Sequence, residues 1–317
     1  MAGMPPLRAV FFGTPEFATP SLPAMIGTGI EIPLVVTQPD RPVGRHAAAR
    51  PSAVARVAAE RGIPLEKPER LRGNAGLLET IRRLAPDVGV VVAYGMLLPK
   101  PLLDLPRLGF VNVHASLLPR HRGASPVAAA ILAGDRETGV TTMRVLEELD
   151  AGPIYLQRST AIGRQEDAGS LSRRLADLGA ELLVETLRGL ESGALAAKPQ
   201  IGEPSFCRMI RREDGEIDWA RPAAEIERRL HAYSPWPGLY TFLGPERIKV
   251  LAARTAPGGH SETPGTFWTR GRDLFASAGG GSSLALLRLQ RAGRRPVSGA
   301  DFALAVKLPG RFGRASS

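Results

Sequence analysis

The chain has 317 residues, 44% of them apolar, with 41 basic and 31 acidic side chains for a net charge of +10. That length exceeds one average domain and fits two, and the apolar fraction is enough for a substantial core. A single cysteine, Cys207, excludes an intrachain disulfide and a zinc cluster built on cysteines. The opening MAGMPPLRAVFFG holds only the short apolar run Ala9 to Phe12, too short for a signal core. No run approaches the roughly 20 apolar residues of a membrane span, so the expected compartment is the cytoplasm. The charge is uneven: residues 1–205 carry 23 basic and 21 acidic residues, residues 206–317 carry 18 and 10. A basic second part points to a polyanion, nucleic acid first, although a solvated Arg-rich surface would show the same excess.

Taken in order, Leu7 to Phe12 predicts a first strand, followed by a helix with Thr14 as N-cap and Pro15 at its first position. Ile32 to Thr37 predicts a second strand, and TQPDRPVGRHAAARP after it reads as a loop. Helices are expected at Ser52 to Arg61 and Ala75 to Leu84, and a continuous apolar strand at Asp87 to Ala93. Gly109 to His114 predicts the next strand, Ala124 to Leu132 a helix, and Gly139 to Leu146 and Ile154 to Ile162 two more strands. Ala168 to Leu190 is a long amphipathic helix, and Ser192 to Phe206 reads as a linker. This alternation predicts an α/β domain over 1–191 with a parallel sheet. A helix is then expected at Pro222 to Ala232. Short β runs (Tyr240 to Leu243, Ile248 to Leu251, Thr266 to Thr269, Leu284 to Leu289) follow, with Gly279 to Gly281 as a hairpin tip. Residues 207–317 thus read as a small, mostly β domain of the kind that closes into a barrel.

Ligands of open parallel sheets sit at the carboxyl ends of the strands. The loops 38–50, 94–99, 114–126 and 147–153 all follow strands and are expected to share that rim. Gly13-Thr14-Pro15 is not a dinucleotide fingerprint, and neither a phosphate-binding loop nor a zinc-protease motif occurs. Asn112 and His114, two residues apart at a strand exit, share one face. If the next strand lies beside them, Glu147, Glu148 or Asp150 comes within reach of the imidazole. Such a group combines proton transfer with a carbonyl-polarising amide. No nucleophile elbow is present, so a substrate group is expected to attack directly. Two polar side chains satisfied at a sheet edge would show the same spacing.

The stretches VFFGTPEFA, TQPDRPVGR, VVVAYGMLLPK, GFVNVHASLLPRHRGASP, AGDRETGVTTM, LDAGPI and IDW…SPWPG resemble those of the folate-dependent formyltransferases. Over nearly the whole length they are closest to the methionyl-tRNA formyltransferases. The resemblance implies a Rossmann-like formyltransferase domain followed by a β-barrel similar to an OB-fold. It implies Asn112, His114 and Asp150 as catalytic residues. Ser116, Leu117, Leu118 and Pro119, with Ala93, Tyr94 and Gly95, would line the pocket for 10-formyltetrahydrofolate. Arg41, Arg45, Arg211 and Arg212 would meet initiator methionyl-tRNA, with Arg208, Arg291, Arg294 and Arg295 as further phosphate contacts. No metal is implied, and a monomer is.

Three places depart from the family pattern. His46-Ala47-Ala48-Ala49-Arg50 stands where relatives carry glycine and lysines, Ala128 where they carry glutamine, and Met209 where they carry lysine. Each removes a polar or basic group expected near tRNA. The alternatives are therefore a formyltransferase for another amine, such as an amino sugar nucleotide, a 10-formyltetrahydrofolate hydrolase, and an RNA-binding protein on an inactive scaffold.

Overall fold

The computed structural model describes residues 6–42, 49–257 and 262–313. The chain divides into two compact units: residues 1–126, 137–161 and 171–208, and residues 127–136, 162–170 and 209–317. The first is built on strands Arg8–Gly13 (β1), Glu31–Val36 (β2), Leu65–Glu66 (β3), Val88–Val92 (β4), Phe110–His114 (β5), Glu137–Arg144 (β6) and Ile154–Ala161 (β7). They form one sheet in the order β7-β6-β5-β4-β1-β2-β3. Along residues 1–208 the helices are Ser21–Gly27 (α1), Ala53–Glu60 (α2), Ala75–Leu84 (α3), Pro126–Ala133 (α4) and Ala168–Glu191 (α5), with one short helical turn at Lys100–Leu103.

β1 to β5 are mutually parallel, as the alternating pattern predicts. β6 departs from that pattern and runs antiparallel to both β5 and β7. Hydrophobic periodicity identifies a strand but carries no direction. Direction follows from a crossover helix, and residues 127–133 of α4 group with the second unit. The exit of β6 therefore lies beside Val111, at the end of β5 away from His114. The loop 147–153 does not leave at the rim where β2, β4 and β5 end.

Strand alternation divides the side chains of β5 between two faces. Phe110 joins a buried cluster with Phe12, Val91, Leu102 and Ile81 on one face. Val113 points the other way, toward α5, where Gly179 leaves room for it: a Cβ there would lie 2.8 Å from Val113 Cγ1. The expected helix start at Thr14 is not formed. Glu16–Ala18 makes a single tight turn and the α-helix begins at Ser21. Pro20 and Pro23 lack the amide hydrogens a longer helix would need. Thr14 instead donates its hydroxyl to the carbonyl of Tyr94 (3.2 Å).

After α5 the chain stays along the first unit. Lys198 and Ile154 exchange backbone hydrogen bonds at 2.7 and 2.8 Å, and Phe206–Cys207 pairs in parallel with Arg122–Gly123.

The second unit holds helix Ala223–Ala232 (α6) and strands Leu239–Leu243 (β8), Glu246–Ala256 (β9), Thr266–Arg270 (β10), Asp273–Ser277 (β11) and Ser283–Arg291 (β12). Helix Gly299–Leu304 (α7) and strand Gly310–Arg311 (β13) complete it. The antiparallel sheet runs β8-β9-β12-β11-β10-β13. Residues 279–281 form the tip between β11 and β12, as their glycines predict. Just past β13, Gly313 bridges Leu243 and donates its N–H to the carbonyl of Phe242 at 2.9 Å. The two edges of the sheet are thereby brought together. Phe312 stacks on Trp219 (5.5 Å between ring centres) and packs against Phe267 (4.3 Å). The sequence pattern predicts neither β11 nor α7. Among the described residues no helix is long and apolar enough to cross a membrane.

Candidate active site at the end of strand β5

Asn112 lies between Val91 of β4 and Met143 of β6. Its carboxamide is part-exposed and has no hydrogen-bond partner among the described residues. It is free to bond a ligand at the strand end. His114, one alternation further on, is 5% exposed. Its Nε2 lies 3.0 Å from the carbonyl oxygen of His121. Its Nδ1 lies 3.6 Å from Asp150 Oδ2. A carbonyl only accepts, so Nε2 carries a hydrogen. Nδ1 faces a carboxylate, so a second hydrogen there would be favoured by charge. Burial opposes this and holds the proton affinity of His114 below the usual imidazole range, against the pull of Asp150 and the His121 carbonyl.

Asp150 reaches His114 by a route the sequence does not reveal. Arg144 N–H bonds the Pro153 carbonyl at 2.9 Å and pinches off the loop between them. Within it Asp150 has left-handed backbone (φ 52°). The turn brings Oδ2 to 2.9 Å from the N–H of Gly123. Of the three carboxylates expected nearby, Asp150 alone contacts the ring. Glu148 lies 4.0 Å from Arg122 with its carboxylate in solvent, and Glu147 stands near Lys100.

The loop after His114 is tightly held. Ser116 is fully buried and its hydroxyl donates to the Arg120 carbonyl at 2.6 Å. Thr141 Oγ1 donates to the Ser116 carbonyl (2.6 Å) and accepts from Leu118 N–H (3.1 Å). Gln157 donates to the Leu118 carbonyl at 2.9 Å. The Leu118-Pro119 bond is cis. Leu118 is buried, and Leu117 and Pro119 are the partly exposed members of this segment. Gly123 has φ +117°, and a Cβ on it would fall 2.2 Å from the Cys207 carbonyl oxygen.

Ala93, Tyr94 and Gly95 lie at the exit of β4. The Tyr94 ring belongs to the core, edge-on to Phe12 at 5.3 Å. Its hydroxyl is buried with no partner among the described residues, and burial pushes its pKa up to about 12. Its carbonyl accepts from Gln38 Nε2 at 2.8 Å. Ala93 (φ 47°) is exposed, and Gly95 (φ 82°) packs under the Gln38 amide.

Among the arginines, Arg41 has its backbone paired with that of Arg50 in a two-residue ladder, and Arg45 lies outside the described residues. Arg211 and Arg212 are exposed at the start of the single turn Arg212–Gly215. Arg294 and Arg295 are exposed after β12, and Arg208 closes the first unit. Arg291 is paired with Glu246, which raises the proton affinity of the guanidinium and lowers that of the carboxylate. Among the described residues no group of three or more His, Cys, Asp or Glu could hold a metal ion.

Sequence reasoning missed Gln200, Ser205 and Thr141, which hold the loops around His114. Gln200 and Ser205 sit in a Pro- and Gly-rich stretch that reads as a linker. A threonine within a strand gives no signal of its own.

Residues 7–187 match the formyl transferase family and residues 209–306 the formyl transferase C-terminal domain. A methionyl-tRNA formyltransferase of Citrifermentans bemidjiense is 46% identical over 309 residues, covering 97% of this chain and 95% of the relative. One of Pseudomonas syringae pv. tomato is 43% identical, with 93% and 94% covered. Among solved structures, the N-formyltransferase of Helicobacter canadensis in complex with folinic acid and dTDP-3-aminofucose superposes with a TM-score of 0.67 at 16% identity, covering 90% of this chain and 99% of that one. The sugar 3N-formyltransferase WlaRD, in the presence of dTDP and 5-N-formyl-THF, gives 0.67 at 16% identity, with 92% and 100% covered. These last two share the fold. With both of its parts matched and its full-length relatives this similar, the chain belongs to the methionyl-tRNA formyltransferase family.

Proposed function

We propose that the protein transfers the formyl group of 10-formyltetrahydrofolate to the amino group of methionine esterified to initiator tRNA. The observation that carries this reading is the grouping of Asn112, His114 and Asp150 at one strand end, with the Asn112 carboxamide unpaired among the described residues. In the reaction the neutral amine attacks the formyl carbon. A C–N bond forms and the carbonyl becomes a tetrahedral oxyanion. Asn112 donates its N–H to that oxygen as charge develops there. The bond from the formyl carbon to N10 then breaks, and the proton lost by the amine is returned to N10. The His114–Asp150 pair handles that proton, with Asp150 stabilising the imidazolium. No covalent enzyme intermediate is needed.

Ser116 to Pro119, with Ala93, Tyr94 and Gly95, would form the folate pocket. The buried hydroxyl of Ser116 and the core position of Tyr94 favour contact through the backbone and through Leu117 and Pro119. Arg41, Arg45, Arg211 and Arg212 would meet tRNA phosphates, with Arg208, Arg294 and Arg295. The Arg291–Glu246 pair is a weaker candidate because its charge is already neutralised. A catalytic domain over 1–191, a segment 192–206 and an OB-fold-like tRNA domain over 207–317 complete the reading, with a monomer as the working unit.

The test follows labelled formyl from 10-formyltetrahydrofolate with and without charged initiator tRNA. Label is expected on the methionine amine only when the charged tRNA is present. Label released as formate, or transferred only to an amino sugar nucleotide, would overturn the reading.

A further inference from the structure

Two residues supply the acceptors that meet the His114 ring, and both have left-handed backbone without being glycine: His121 (φ 58°) and Asp150 (φ 52°). Side chains with a Cβ disfavour that conformation, and it persists where the surroundings hold it. One short stretch after α5 holds both. Ser205 Oγ accepts from the N–H of His121 at 2.8 Å, and the Ser205 carbonyl accepts from the N–H of Arg122 at 2.8 Å. Gln200 Nε2 donates to the carbonyls of Asp150 (2.9 Å) and Gly152 (2.8 Å). Gln200 Oε1 accepts from Arg122 Nε (3.1 Å) and Nη2 (2.7 Å). The carboxamide thereby uses both donors and both lone pairs.

We infer that Gln200 is a positioning residue for formyl transfer: it grips the turn that aims Asp150 at His114 and, through Arg122, ties that turn to the loop whose carbonyl meets the other ring nitrogen. This rests on the roles proposed above for His114 and Asp150. The groups facing the imidazole are Asp150 and His121, with the Cys207 thiol donating to the same His121 carbonyl at 3.4 Å. Arg122 and Glu148 lie one layer further out. Without Gln200 the turn is released and the carboxylate that favours the imidazolium moves off. The burial that opposes the charge remains. His114 then gives up its proton at lower pH.

The test uses the full chain with Gln200→Met, which keeps volume and neutrality, and Gln200→Ala. The ring titration of His114 is followed by NMR on protein labelled with 15N-histidine, assigned by loss of its signal in His114→Gln. A midpoint lower by about half a pH unit or more is expected. So is a kcat for formyl transfer down about tenfold or more, with KM for 10-formyltetrahydrofolate within about twofold. A His114 midpoint equal to wild type in either folded variant overturns the inference, as does a wild-type kcat. Should one variant fail to fold, the other decides. If wild-type protein transfers no formyl group to methionyl-tRNA, the functional reading falls, while the titration still reports on the grip.

Discussion

Asp150 and Gly123 share one hydrogen bond, 2.9 Å from backbone N–H to carboxylate, and the accepting oxygen is the one that faces His114. That N–H points inward because Gly123 holds φ +117° against the Cys207 carbonyl. Gly123→Ala would set a Cβ 2.2 Å from that oxygen. We expect a loss of stability of about 2–4 kcal/mol and a fall in turnover larger than the stability loss explains. Urea unfolding midpoints and kcat on the same preparation check both.

Asn112→Ala should lower kcat by about 100- to 1,000-fold, the usual effect of losing one oxyanion donor. Folate affinity should change little, because the amide acts on charge that develops later. His114→Ala and Asp150→Ala should abolish turnover with folate binding largely kept. Single-turnover kinetics alongside equilibrium folate binding separate these effects. Wild-type turnover in either of the last two variants would end the assignment.

The titration of His114 also predicts how stability varies with pH. Burial holds its folded-state proton affinity below that of the unfolded chain, whose histidines titrate near 6.5. The unfolded state then binds the proton first, so acid favours unfolding. This contribution is complete above about pH 6.5 and is lost as pH falls through the lower folded value. Asp87 and Glu246 are also depressed, but theirs is lost only below about pH 4.5, starting from ordinary values of 3.8 and 4.5. Urea midpoints from pH 7.5 to 5 should therefore fall, and His114→Gln should flatten that slope.

Tyr94 buries a hydroxyl that no described group satisfies. Tyr94→Phe removes the polar atom and keeps the ring against Phe12. The expected change is between zero and a gain of about 1 kcal/mol, read from the thermal midpoint. A loss greater than that would mean the hydroxyl has a solvent partner.

Binding of tRNA should weaken steeply with salt, because neutralising phosphates releases counterions. Arg211→Ala with Arg212→Ala should weaken it at low salt and reduce the slope of log K against log salt by about one for each phosphate left without its arginine. Filter binding across a salt series measures this. An unchanged slope would remove these two arginines from the interface.

The sequence made some of this visible and hid the rest for physical reasons. β4 is buried throughout, so it appears as an unbroken apolar run, and in β5 the apolar Phe110, Val111 and Val113 surround Asn112. α5 stands out because 24 residues keep one apolar stripe. The spacing of Asn112 and His114 follows from strand alternation alone. The direction of β6 was hidden because residue pattern has no polarity. The left-handed turn at Asp150 was hidden because hydrogen bonds from Gly123 and Gln200, distant in sequence, stabilise it. β11 escaped notice because five residues between glycine-rich turns give little period to read.

The seam where Gly313 meets Phe242 sets an order of events during synthesis. The ring of Phe312 fills the space among Trp219, Phe267 and Phe302, so the second core lacks its centre until residue 312 is available. Until then the second unit shows two open strand edges, β8 and β10. A nascent chain stalled before residue 310 would present those edges to its neighbours. Truncations of the last few described residues should therefore be seen first as aggregation.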